Sequence, residues 1–232
     1  MEKSESGHAK NIGNFEKIVS KCESLGEIYN PAVPHLKLPA LKTSLAEGKA
    51  ALAAVNQAET PWVIAVNARE EVFKALSKLC TRVINALKPF VSAALLKDAR
   101  SIVNKIQGRR SIPTDQPKSS ASQISFDNRI NNFDRLLTLI EGVPDYLPNE
   151  EDLTAVSLRA YHQQMIETNA AAIQKSNALS AARKQRNELY YSGTSSLHEI
   201  AKSIKSYVVS VLGGKDPRAV ELKQIPFKKM RT

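Results

Sequence analysis

The sequence predicts an all-α protein made of tandemly duplicated antiparallel helical hairpin or bundle units, with long helices and no sheet. Three observations carry this expectation. Only 9 glycines and 11 prolines occur in 232 residues, most of them clustered, so long stretches rich in Ala, Leu, Lys, Glu and Ser run without a breaker. Apolar residues recur at steps of three and four, the spacing of one buried stripe on a helix. The same stripe returns 118 positions later, about half the chain away.

That repeat sits in the first element. Ile12, Phe15, Ile18, Val19, Cys22 and Leu25 become Ile130, Phe133, Leu136, Leu137, Ile140 and Val143, every one apolar. The polar neighbours match in type: Asn14 with Asn132, Glu16 with Asp134, Lys17 with Arg135. Each copy stops at a turn containing Gly and Pro and a tyrosine, Tyr29 before Pro31 and Tyr146 before Pro148. The tyrosines are one residue out of step, so the turn lengths differ.

A second helix is marked by Leu38, Leu41, Leu45, Leu52 and Val55 and continues to about Gln57. Thr60 before Pro61 then reads as a hydroxyl N-cap with proline at the first helical position, which predicts a new helix. That third helix turns Val72, Phe73, Leu76, Leu79, Val83 and Leu87 inward. Pro89 kinks or breaks it, and a fourth segment runs to about Gln107.

Residues 108–123, "GRRSIPTDQPKSSASQ", combine turn formers with three basic residues and read as a flexible linker between the halves. The expected boundaries are therefore a first bundle unit at 1–107, the linker at 108–123, a second unit at 124–214 and a basic tail at 215–232. Residues 149–192 contain neither Gly nor Pro. They predict one continuous helix, or a hairpin turning near Lys175, Ser176 and Asn177. Asn149 or the acidic run Glu150, Glu151, Asp152 suits its N-terminus. A last helix carries Leu197, Ile200, Ala201, Ile204, Val208 and Val211 and stops at Gly213 and Gly214. No segment alternates with period two.

The net charge is +10 and uneven. Residues 1–107 hold 15 Lys/Arg against 10 Asp/Glu, residues 108–122 hold 3 against 1, residues 123–214 hold 9 against 10, and the last 18 hold 6 against 2. More than half of the excess falls in linker and tail, a balance that favours polyanionic partners. No uncharged run approaches the roughly 20 residues that cross a bilayer, and the N-terminus has no apolar stretch of a signal peptide. Cys22 and Cys80 give neither a disulfide framework nor metal spacing, and both fall in apolar helical patterns as buried free thiols. A cytoplasmic location without membrane contact is expected.

Chemistry is sparse. His8, His35, His162 and His198 form no ligand pair, and the one Glu-x-x-His is Glu5 to His8, so no metal or other cofactor is expected. Phosphate-binding loops and hydrolase or zinc-protease signatures are absent, and no catalytic residue is expected. The densest cluster is "AARKQRNELYYSG" at 181–193. On a helix Arg183, Arg186, Asn187 and Tyr190 share one face, where two guanidiniums, an amide and a phenol suit phosphates and bases. A plainer reading makes it a polar face with Tyr190 or Tyr191 packing the helix end. Arg183 echoes Arg69, with Glu70 and Glu71 standing where the second copy has Lys184 and Gln185.

The tail places Lys223, Lys228, Lys229 and Arg231 around Ile225, Pro226 and Phe227. Basic residues beside one aromatic anchor grip nucleic acid or an acidic protein. Equally, Ile225 and Phe227 dock the tail on the bundle while the lysines solvate it. Arg109, Arg110 and Lys118 of the linker complete the candidate nucleic-acid-binding set.

The second half, through "RNELYY" at 186–191, "IKSYVVSVLG" at 204–213 and "IPFKK" at 225–229, resembles an uncharacterised family of basic, all-helical proteins of Bacteroidota-type bacteria. The resemblance covers residues 125–230. It implies paired helical units, a last helix ended by glycine and a short basic tail with Phe. The family brings no activity with it.

The functional expectation is a non-enzymatic helical module engaging DNA, RNA or a ribonucleoprotein through linker, tail and helix face. With aromatics at 6 %, contact falls on phosphates more than on stacked bases. The alternative is a structural or adaptor protein acting by self-assembly, as a homo-oligomer, or by contact with an acidic protein. Alanine runs at Ala50, Ala51, Ala53 and Ala54 and at Ala170, Ala171 and Ala172 permit close helix approach.

Overall fold

The computed structural model describes residues 3–109 and 125–230. Seven α-helices follow one another along these residues: α1 (Lys3–Ser24), α2 (Leu38–Leu87), α3 (Ala93–Ile106), α4 (Phe126–Glu141), α5 (Ala155–Tyr191), α6 (Leu197–Leu212) and α7 (Pro217–Gln224). Short 3-10 turns at Gly26–Ile28, Pro34–Leu36, Lys88–Phe90 and Glu151–Leu153 join them. No strand occurs among the described residues, so the fold is all-α.

Two helices are longer than the breakers suggest. α2 runs unbroken for 50 residues with Pro61 inside it, and no helix starts at Thr60. An internal proline forfeits one hydrogen bond and crowds the preceding turn, a penalty of about 3 kcal/mol. Alanine-rich helix formers precede it, and propagation is cheap once a helix exists. α5 likewise continues through Lys175, Ser176 and Asn177 for 37 residues, which excludes the hairpin. Its start is set by Thr154, whose Oγ1 accepts from the Ser157 amide at 3.3 Å, while the acidic run forms the 3-10 turn before it.

The tail holds a helix that the sequence reading left out. Asp216 caps α7, its Oδ1 accepting from the Arg218 amide at 2.8 Å, and Pro217 fills the first position. Hydrogen bonds from the Arg218 guanidinium and amide hold the Asp216 carboxyl down to about 2.

The chain divides into two compact units, Met1–Thr60 with Asn177–Thr232, and Pro61–Ser176. These differ from the expected division at 107 and 124. The cause is the length of α2 and α5: neither helix turns back, so each gives one part to each unit.

In the first unit, α1, the first part of α2, the last part of α5, α6 and α7 surround one core. Ile12, Phe15, Ile18, Val19 and Cys22 line it from α1, Leu41 from α2, Tyr190 from α5, Ile200, Ile204 and Val208 from α6, Ala219 and Leu222 from α7. At Gly48 of α2 a Cβ would stand 2.5 Å from Ile12 Cδ1 and 2.8 Å from Leu197 Cδ1, so glycine lets these helices close together.

The second unit packs α3, α4, the last part of α2 and the first part of α5. Phe73, Leu76, Cys80, Val83 and Leu87 meet Leu96, Ala99, Val103 and Ile106, together with Phe133, Leu136, Leu137 and Ile140 and with Leu158 and Met165. Arg129 donates to the Phe73 carbonyl at 3.2 Å, and the Arg69 guanidinium lies 4.0 Å from the centre of the Phe126 ring.

One connector occurs in both units. The Tyr29 hydroxyl donates to the Leu36 carbonyl at 2.8 Å, and the Tyr146 hydroxyl to the Leu153 carbonyl at 2.9 Å. Each tyrosine is buried, and each is followed by a 3-10 turn that feeds a long helix. The one-residue difference between the two stretches therefore lies ahead of the tyrosines.

Candidate functional site

The cluster at the end of α5 is divided: Tyr190 and Arg186 are buried, whereas Arg183 and Asn187 are half-buried. Tyr190 is fully buried and its hydroxyl donates to the Gly48 carbonyl at 2.8 Å. Arg186 is only 3 % exposed, and its Nε and Nη2 donate to Asn187 Oδ1 at 3.1 and 2.9 Å. Arg183 is half-buried, with Nη2 3.8 Å from Glu59 Oε1. Tyr190 and Arg186 are buried, which takes these two out of the phosphate- and base-contacting set and agrees with the plainer reading of a tyrosine packing the helix end. Long amphipathic side chains bury their stems and rings readily, so a helical spacing of Arg, Asn and Tyr does not define an outer face.

Counted from the helix starts at Leu38 and Ala155, Arg69 in α2 and Arg186 in α5 each stand 31 residues on.

What α5 does expose to the tail is Tyr191. Its hydroxyl lies 2.8 Å from His8 Nδ1 and accepts from Asn11 Nδ2 at 3.0 Å. His8, Asn11 and Asn14, spaced by three on α1, are all buried polar residues. Above them residues 225–230 lie without helical structure against α1 and α6. Asn11 Nδ2 donates to the Lys228 carbonyl at 2.7 Å, and the Lys228 amide donates back to Asn11 Oδ1 at 3.1 Å. Asn14 Nδ2 donates to the Pro226 carbonyl at 2.8 Å, and Lys205 Nζ to the Ile225 carbonyl. Burial lowers the Lys205 ammonium below the usual lysine range.

Phe227 is the anchor of this strap. Its ring centre lies 6.2 Å from that of Phe15, 6.4 Å from Tyr190, 6.3 Å from Tyr191 and 6.1 Å from His198. Edge-to-face aromatic contacts at such separations add about 0.5–1.5 kcal/mol each beyond area burial. At the strap's end Met230 rests where a Cβ on Gly7 would stand 2.4 Å from its Cε. The docking reading of the tail therefore describes Ile225 and Phe227, while Lys223, Lys228 and Lys229 are exposed. Beside the strap lies an open depression of about 480 Å³ lined by Tyr191, Gly193, Thr194, Glu199, Ser203 and Lys229.

The remaining candidates do not join this cluster. Arg109 is exposed just beyond α3, in the second unit, its amide donating to the Asn104 carbonyl at 2.8 Å. Arg110, Lys118 and Arg231 lie outside the described residues. The sequence does not mark His8, Asn11, Asn14 and Lys205 as members of this cluster, and it offers Tyr191 only as a residue packing the helix end. One signal was present: asparagine is a poor helix former, and two stand three apart beside an apolar stripe.

Chemistry elsewhere is quiet. Burial pushes the Cys22 and Cys80 thiols up to about 12, so both stay protonated at neutral pH and are weak nucleophiles. Among the described residues no three His, Cys, Asp or Glu side chains stand together as a metal site, and no helix is long and apolar enough to cross a membrane. Charge concentrates near the strap's part of the sequence: residues 177–232 hold 11 Lys/Arg against 4 Asp/Glu, and residues 1–176 hold 22 against 19.

Fold and site together define a basic all-α protein of two helical units, one of which carries a clamped strap. Compared with protein-family models, curated proteins and solved structures, the chain gives no match in any of the three. The functional reading rests on geometry and charge.

Proposed function

We propose that the chain is a non-enzymatic binding module for nucleic acid or a ribonucleoprotein, acting through phosphate contacts from the strap-bearing segment. The observation that carries this reading is the fixed presentation of Lys228 and of Lys229 next to it: the clamp holds the Lys228 backbone through both its amide and its carbonyl, while both side chains are exposed. Lys223 on the last turn of α7 adds a third exposed cation. Seven of the ten excess charges belong to residues 177–232. Ammonium groups held in place lose less entropy on meeting a phosphate than those of a free chain. Arg109, Arg110, Lys118 and Arg231 extend the set, and Arg186 and Tyr190 leave it. The two units read as products of duplication, of which only the first has the strap.

The test is fluorescence anisotropy with duplex DNA and with RNA across a salt series. Three lysine–phosphate contacts give a log–log salt slope of about −2.5. The combined Lys223→Glu, Lys228→Glu, Lys229→Glu variant loses about tenfold or more of the affinity at low salt. Absence of binding to either nucleic acid at low salt would sink the reading.

A second reading, protein–protein contact, is favoured by aliphatic side chains left exposed in the second unit: Val63, Ile64, Ile166 and Ile173, at 41, 63, 38 and 46 %. Light scattering decides it. A strict monomer whose behaviour is unchanged by Ile64→Glu with Ile173→Glu counts against an adaptor or self-assembly role.

A further inference from the structure

We propose that the groove between α1 and α6 of the first unit is a binding site for an extended peptide with an aromatic anchor, and that residues 225–230 fill it in cis as a displaceable plug. The bonds that hold the strap are the ground for this. Asn11 grips both the amide and the carbonyl of Lys228, Asn14 takes the carbonyl of Pro226, and Lys205 takes the carbonyl of Ile225. All of them read main-chain atoms. Such bonds are open to any extended segment, as at a sheet edge that accepts an added strand.

Side-chain recognition comes down to one place. Phe227 enters a box of Phe15, Tyr190, Tyr191 and His198, and no other strap side chain has a comparable aromatic enclosure. Beyond it Lys228 and Lys229 are exposed, and the Glu199 carboxylate beside the strap is already taken by Lys202 and His198, so recognition rests on the aromatic and the main chain. The floor of the site is held from below. Tyr191 bonds Asn11 and faces His8, which keeps the reading amide aimed into the groove when the occupant changes. Emptying the groove exchanges the main-chain bonds of Asn11 and Asn14 for bonds to water and uncovers the ring of aromatic side chains around Phe227, so occupancy is favoured chiefly by apolar burial, by this segment or by a competing one.

Among the described residues the second unit has no counterpart. Arg129 stands where Asn11 stands in the first stripe, 118 residues on, and its guanidinium is spent on the Phe73 carbonyl. The site belongs to one unit alone.

A tethered plug acts at millimolar effective concentration, so a peptide in trans binds the wild-type chain weakly and a chain with a loosened plug tightly. The probe is a labelled peptide of residues 222–232, LKQIPFKKMRT, and its control replaces the phenylalanine by alanine at equal charge. Both are titrated by anisotropy into the full chain carrying Phe227→Ala. The expected result is binding at least about tenfold tighter than to the wild type, about tenfold weaker binding of the control peptide, and a further loss when Asn11→Ala is added. Lys228→Pro, which deletes the amide that Asn11 accepts and leaves the aromatic box alone, serves should Phe227→Ala fail to fold. Should both fail, the wild-type chain is titrated to millimolar peptide, where saturation by the phenylalanine peptide alone supports the site. Equal binding of the two peptides, or no binding to any folded chain, overturns the proposal and leaves the strap as packing.

Discussion

Tyr29 and Tyr146 do the same work at two places, and their hydroxyls are a sharp test of how a single buried bond is valued. Each donates to the carbonyl of a leucine seven residues on, at 2.8 and 2.9 Å, within a buried connector. Replacing either by phenylalanine keeps the ring and orphans the carbonyl, at a cost of about 1–3 kcal/mol. Urea unfolding followed by circular dichroism should give losses for Tyr29→Phe and Tyr146→Phe that agree within about 1 kcal/mol. A large loss at one position and none at the other would show that the two connectors are not equivalent in energy. At this scale the apolar stripe of α1 was fully legible, since burial of Phe15, Ile18 and Cys22 follows from period alone. Tyr190 and Arg186 were not. α5 changes its neighbours along its length, so no one stripe marks its inner face and polar spacing points nowhere in particular.

For the helices, punctuation was the legible part and its meaning the difficult one. Thr60–Pro61 and Asp216–Pro217 are the same start signal, yet only the second opens a helix. The difference lies upstream. Gly213, with φ of 87°, ends α6 before Asp216, whereas an alanine-rich run with no C-capping glycine leads into Thr60. A start counts where a stop precedes it. Pro61 nevertheless marks something, because the boundary between the compact units falls there and at Ser176 in α5, where the hairpin was sought. Pro61→Ala restores one helical hydrogen bond within α2 and removes a ring clash. It should raise stability by about 1–3 kcal/mol with an unchanged helical signal, read from thermal and urea melts. A lower midpoint would mean that the proline geometry is itself needed where α2 changes units.

Across the molecule, the charge excess lies mainly with one unit: residues 1–60 hold 7 Lys/Arg against 7 Asp/Glu and residues 177–232 hold 11 against 4, whereas residues 61–176 hold 15 against 12. The first core draws on both ends of the chain and the second on its middle. The expected units at 1–107 and 124–214 would each have owned a core. Periodicity settles much of which residues are buried where a helix keeps one set of neighbours, as in α1, but it carries no information on which buried faces meet. That pairing depends on whether two long helices turn back, and nothing local to Thr60 or Lys175 decides it.

This interleaving makes the chain a natural candidate for fragment complementation. Phe15, Ile18 and Leu41 of the first core belong to residues 1–109, while Tyr190, Ile200 and Ile204 belong to residues 125–232; the second core is split in the same way between Phe73 and Phe133. A chain divided within residues 110–124 therefore yields two pieces that each hold part of both cores. Each piece alone should show weak helicity and no cooperative melt, and an equimolar mixture should recover both. A piece that folds cooperatively by itself would refute this. Two polypeptides that are inert apart and assemble only together form a reporter of proximity, and the border at residues 110–124 is where this sequence permits the cut.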